Sequence, residues 1–128
     1  MNLSGRLKMI LVLACALATA AAAQSVPQKA AQKARTLMRR AGRQRGLIVH
    51  LGCGGGKLTA ALHRGQGTVV HGLTGSREAV GEARAFIREL GVYGPVSVEY
   101  FSGERLPYAD NLVNLLLVEQ RWGVSRKE

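Results

Sequence analysis

Gly52-Cys53-Gly54-Gly55-Gly56-Lys57 is the stretch whose residue types and spacing suit chemistry. Four glycines in five positions let the backbone turn tightly and approach a bound molecule closely. A helix-like pattern follows, and the free N–H groups of a helix start favour polar or anionic ligand atoms. Lys57 reads as a solvent-facing residue of that first turn. Cys53 has two readings, a reactive thiol at a helix N-terminus or a packed turn residue, and the packed one is expected. His50 and His71 fall in predicted strands near the same sheet end. Two histidines could begin a metal site, but no third ligand accompanies them, so partly buried structural histidines are expected. His63 reads as a cation at a helix C-terminus. Glu104 with Asp110 could serve as general acid and base; a turn formed by Asp110-Asn111 is the more economical account. No Ser-His-Asp order or metal-ligand spacing rises above chance.

The elements that must position these residues alternate along the chain. Leu47 to Leu51 predicts a buried parallel strand. A helix from Gly56 or Lys57 to about His63 carries Leu58, Ala61 and Leu62 on one face, and Gly65 and Gly67 end it. Thr68 to Leu73 predicts a second strand, and Thr74-Gly75-Ser76 a loop. Ser76 is a suitable N-cap, followed by Glu78 in the first turn. The next helix runs to about Leu90, with Val80, Ala83, Phe86, Ile87 and Leu90 at helical spacing and Gly91 as its stop. Pro95 opens a third strand, Val96 to Phe101. Ser102 to Asn111 is a polar loop. Leu112 to Val118, almost continuously apolar, predicts a fourth strand covered on both faces. The expected fold is α/β, an incomplete, mostly parallel sheet of about four strands with flanking helices.

The flanks differ from this domain. The chain has 128 residues, which allows one domain. Residues 1–23 have the pattern of a signal peptide: Arg6 and Lys8, then an apolar run from Met9 to Ala23 ending in Ala21-Ala22-Ala23. The alternatives are an uncleaved anchor, for which the run is short, and a lipoprotein cleavage at Val12-Leu13-Ala14-Cys15, which leaves too little apolar sequence before the cut. The expectation is export to the periplasm or cell envelope. After cleavage Cys53 is alone, which excludes an internal disulfide and a cysteine-rich zinc site. The formal net charge of +10 is unevenly placed. Seven bases and no acid lie in residues 24–45, a predicted basic amphipathic helix with Ala30, Ala34, Leu37, Met38 and Ala41 as its stripe. An anionic membrane surface could meet Lys29 to Arg45. A solvated helix beside the first strand is preferred, because no aromatic residue is present to insert or stack. The same absence argues against specific nucleic-acid binding. Residues 46–119 form the domain proper, and 120–128 a tail.

Three kinds of glycine loop compete for residues 52–56. A phosphate-binding P-loop needs glycine at Leu51 and a hydroxyl at Leu58, so it fails. A dinucleotide fingerprint needs glycine at Lys57 and an acid at Thr74, so it fits poorly. Val49-His50-Leu51-Gly52-Cys53-Gly54-Gly55-Gly56 resembles the first motif of class I S-adenosylmethionine-dependent methyltransferases, a Rossmann-like family. Val70 to Ser76, Ala83-Arg84, Leu90-Gly91-Val92 and Ser102 to Leu117 resemble later pieces of that family at similar spacing. The resemblance implies a cofactor loop at Gly52, Cys53, Gly54 and Gly56, with Thr74 near the ribose and Ser102 near the adenine. No catalytic residue and no metal ligand is assigned in this sequence. The chain departs from the family's acids at His50, Thr74, Ser102 and Asn114. Each lost charge-assisted bond costs about 1.5–3 kcal/mol, so S-adenosylmethionine is expected to bind weakly or not at all. The family fold has seven strands, of which the N-terminal half is recognised here. A fragment or truncation is therefore expected, with a downstream domain or a second copy pairing along the fourth strand. Leu106-Pro107-Tyr108-Ala109-Asp110-Asn111-Leu112-Val113-Asn114 also resembles exported methyltransferase-like modules that precede quinoprotein-type β-propellers. The alternative function is an exported, non-catalytic adaptor.

Overall fold

Gly46–Leu51 (β1), Thr68–Thr74 (β2), Val96–Tyr100 (β3) and Leu115–Val118 (β4) form one parallel sheet in the order β3-β2-β1-β4. The computed structural model describes residues 24–42 and 45–119; the expected signal segment, Arg43, Gln44 and the tail from Gln120 lie outside them. Parallel strands need crossovers, and helices Lys57–Leu62 (α2) and Arg77–Glu89 (α3) supply the first two. Gln28–Ala41 (α1) precedes the sheet and packs on α2. Among the described residues no helix is long and apolar enough to cross a membrane.

The period of two along the strands separates two cores. Ile48 pairs with Val70, and Val70 with Val96, so all three face the same way. They are buried with Ala34 and Met38 of α1, Leu58 and Leu62 of α2, and Val80, Ala83 and Ile87 of α3. Each such side chain contributes roughly 1.5–3 kcal/mol. On the opposite face Val49, Leu51 and Leu73 form a smaller cluster with Phe101, roofed by Leu106, Tyr108 and Val113 of the β3–β4 connection.

Local chemistry sets the helix limits. Ser76 Oγ accepts a hydrogen bond from Ala79 N at 3.2 Å, the N-cap expected for α3. Gly42, at φ 63°, closes α1 at Ala41, short of the predicted 24–45.

The strand limits agree with expectation to within one residue except at β4, and the shift at β2 also bears on the site. Thr74 is the last residue of β2, not a loop residue, because it pairs with Tyr100. The predicted strand from Leu112 begins only at Leu115. Asn111 turns the chain with φ 61°, and contact with β1 starts at Asn114, whose N donates to Leu47 O at 2.9 Å. Nor is β4 covered on both faces: Leu116 and Val118 are 42% and 43% exposed. It is the sheet's edge among the described residues, with β1 on one side only.

Candidate functional site

β1 runs directly into Gly52–Gly56, and the turn is anchored to β2. Gly52 N and Cys53 N both donate to Leu73 O, at 2.8 and 3.1 Å. Gly56 N donates to Cys53 O at 3.1 Å, and Gly56, at φ 77°, leads into α2. The glycines serve different ends. A Cβ on Gly56 would lie 2.9 Å from Ala83 Cβ, so Gly56 lets α3 come close. Cβ atoms on Gly54 and Gly55 would meet nothing within 4 Å; both residues are exposed. That is the bare backbone a ligand can approach.

Thr74 and Ser102 arrive at the same carboxyl end of the sheet. Phe101 N donates to Thr74 O at 2.9 Å, which sets Ser102 one residue beyond the end of β2. Ser102 is exposed. Thr74 is 4% exposed, and its Oγ1 accepts from Ser76 N at 3.4 Å. Its hydroxyl is thus turned to its own loop, and no carboxylate replaces it at that position. Arg77 lies beside this corner, its guanidinium 4.3 Å above the Tyr100 ring.

A cleft of about 520 Å³ opens on the other side of the turn, lined by Lys29, Lys33, Cys53, Gly55, Lys57 and Glu119 among others. Neither Thr74 nor Ser102 lines it. Cys53 is buried, with its sulfur against the Cα of Gly72, where a Cβ would be only 2.9 Å from Sγ. Burial pushes the thiol pKa up to about 11, so Cys53 is the packed turn residue expected and not a thiolate.

Glu119 and Lys33 were invisible to sequence reasoning as a pair, being 86 positions apart. Lys33 Nζ donates to Glu119 Oε1, tying α1 to the end of β4. Glu119 Oε2 lies 3.3 Å from Nε2 of fully buried His50. This is ion-pair range, and Nε2 has no hydrogen-bond partner among the described residues. His50 Nδ1 is 2.9 Å from Thr59 Oγ1. The carboxylate at Nε2 favours the proton there, leaving Nδ1 to accept from the threonine hydroxyl. Burial lowers the His50 pKa despite the opposing pull of Glu119. Burial also pushes Glu119 upward, but Lys33 and His50 outweigh it and hold the carboxyl below its usual range.

His71 does not join His50. It pairs with Val49, so it projects from the opposite face of the sheet. There its Nδ1 hydrogen-bonds the Tyr108 hydroxyl, and its Nε2 is 3.8 Å from Glu99. Burial lowers the His71 pKa and raises that of Tyr108 to about 12. Among the described residues no three potential ligands cluster to hold a metal. Glu104 and Asp110 are both exposed in the β3–β4 connection. His63 follows α2, with its N–H on Ala60 O at 3.2 Å.

Comparison with known proteins agrees with this geometry. The family described as "Methyltransferase domain" matches residues 49–122. Curated proteins contain no match. A candidate S-adenosyl-L-methionine-dependent methyltransferase of Methanococcus maripaludis superposes with a TM-score of 0.63 at 20% identity, over 69% of this chain and 40% of its own. A geranyl diphosphate methyltransferase solved with S-adenosylmethionine gives 0.61 at 23% identity, over 69% and 36%. The geranyl diphosphate C-methyltransferase of Streptomyces coelicolor, solved with Mg2+, geranyl diphosphate and S-adenosyl-L-homocysteine, gives 0.61 at 25% identity, over 68% and 33%. The superposed part thus spans less than half of each of these proteins. With the four-stranded parallel sheet, the glycine turn at its carboxyl end and a family match over most of the domain, this chain belongs to the methyltransferase domain family.

Proposed function

We propose that the domain binds S-adenosylmethionine at the carboxyl end of the sheet, with Gly52 to Gly56 under the cofactor and Thr74 and Ser102 at its nucleoside end. The observation that carries this reading is the open space over Gly54 and Gly55, beside a cleft that presents Lys29, Lys33, Lys57 and Glu119. A zwitterionic amino-acid group suits such mixed charge. The cofactor, when bound, supplies an activated methyl group. The grip on it is weak, because Thr74 is one hydroxyl already engaged by Ser76 N where a carboxylate could take two ribose hydroxyls. The domain also works as part of a larger unit, a further strand pairing along the outer edge of β4; the exposed Leu116 and Val118 support this. The narrower reading, an exported module ahead of a quinoprotein-type propeller, is supported by the Leu106 to Asn114 wording alone.

Calorimetric titration of the full chain with S-adenosylhomocysteine tests the site. Binding is expected with a Kd below about 1 mM. Gly55→Val, whose side chain enters open space, should abolish it with no loss of fold. Thr74→Asp should tighten it by about tenfold, the worth of one charge-assisted bond. No heat up to about 1 mM from either the wild type or Thr74→Asp would overturn the proposal.

A further inference from the structure

At the amino end of the strands, away from the glycine turn, three arginines line one hollow. Arg35 and Arg39 lie one helical turn apart on α1, and Arg64 comes from the connection between α2 and β2. With Met38 they line a cavity of about 420 Å³. Met38 is nearly buried and belongs to the main core, so the hollow has an apolar floor and a cationic wall. Arg45 adds charge nearby: its side chain passes 3.5 Å from where a Cβ on Gly67 would sit, in the same connection.

None of these arginines has an acidic partner among the described residues. The reason lies in the sequence: residues 24–77 contain no aspartate or glutamate, and the acids begin at Glu78. Favourable interaction with the helix C-terminus explains Arg39 and Arg40 in the last turn of α1. It does not explain Arg35, two turns from the end, or Arg64, which is outside the helix. Like charges at the i and i+4 positions oppose folding unless something neutralises them. Lysine and arginine are also segregated along α1. Lys29 and Lys33 line the cleft by the glycine turn, whereas the charged residues that line the hollow are all arginine. Arginine presents a planar fork that grips tetrahedral oxyanions in pairs of hydrogen bonds; lysine does not.

We propose that the Arg35–Arg39–Arg64 hollow is a binding site for a phosphate group, separate from the glycine turn. The phosphate belongs either to a small free anion or to an anionic lipid headgroup, and the test separates the two. The full chain is titrated with inorganic phosphate, and is co-sedimented with vesicles of phosphatidylcholine with and without phosphatidylglycerol. Two variants of equal net charge are compared, Arg39→Gln with Arg64→Gln, and Arg88→Gln with Arg105→Gln. The first pair should weaken binding by about tenfold or more, and the second should leave it near wild type. An Arg39→Lys, Arg64→Lys pair, which keeps charge and fold but removes the forks, should fall between them. Phosphate binding with this pattern identifies a free anion. Binding only to phosphatidylglycerol vesicles, with the same pattern, identifies a lipid headgroup. Binding of neither probe, or equal loss in both glutamine pairs, would overturn the proposal. S-adenosylhomocysteine titration of the same variants should be unchanged, so this result stands or falls apart from the cofactor site.

Discussion

On the helix side of the sheet, Ile48, His50, Val70, Val96 and Val98 are all fully buried under three helices. On the other side, Val49, Leu51, Leu73 and Phe101 shelter beneath a single connection, while Val69, Leu116 and Val118 stand largely in solvent. The glycine turn is held from the well-packed side: Gly56 touches α3, and Cys53 fills the space over Gly72. Ser102 instead rides on the connection that roofs the thin side. The glycine turn is therefore stable with the whole domain, whereas the connection that carries Ser102 depends on a few polar contacts such as His71 with Tyr108.

The sharpest way to break this contrast is to perturb one apolar side chain on each face. Leu62→Ala, on the helix side and fully buried, should cost about 3 kcal/mol in denaturant unfolding. Val69→Thr, half exposed on the other face, should cost under about 0.5 kcal/mol. Similar losses from the two would show that both faces carry the fold equally. Tyr108→Phe should cost about 1 kcal/mol, from the lost hydrogen bond to His71. Hydrogen exchange should show faster opening in residues 101–113 and not in the glycine turn. The finest comparison is between the two histidines. Burial holds both pKa values below the ordinary 6.5, so the unfolded chain takes up the proton first as pH falls. The stability this provides is complete above 6.5 and declines as pH drops below it. Unfolding midpoints measured from neutral pH down to just above the carboxylate range should fall in the wild type. His50→Gln should remove more of that fall than His71→Gln, since His50 is the more deeply buried. An equal share from His71 would erase the distinction between the faces.

Much of the fold was legible in the sequence because its signals were local. Ser76 and Gly91 bracket α3, and the valines of β3, Val96 and Val98, alternate with the pleat. The glycine turn was legible for the same reason. The relation between His50 and His71 was not. Both lie in strands, but whether they share a face depends on strand pairing, and Val49 opposite His71 places them on opposite sides. Glu119 was equally hidden, since its partners Lys33 and His50 meet it only once α1, β1 and β4 are assembled. The start of β4 was misread because Leu112 to Val118 offers apolar residues with one polar interruption, and that interruption, Asn114, was read only as a departure from the family's acids.

Asn114 is where that strand's ambiguity is resolved. Every residue of Leu115-Leu116-Leu117-Val118 is apolar, so hydrophobicity cannot say which pair should turn inward. A slip of one position would exchange the two sets at almost no cost in buried area. Asn114 removes that freedom by engaging Leu47 twice, its N–H on Leu47 O and its Oδ1 accepting from Leu47 N at 2.8 Å. A chain displaced by one position would put Leu115 or Val113 there, and either can make only one of the two bonds. The amide lies so close over Gly46 that a Cβ would be 2.1 Å from Oδ1, so the lock and its keyhole are a single pair of residues. An uninformative hydrophobic tetrapeptide is thereby given one unique alignment, and with it the placement of Glu119 beside His50.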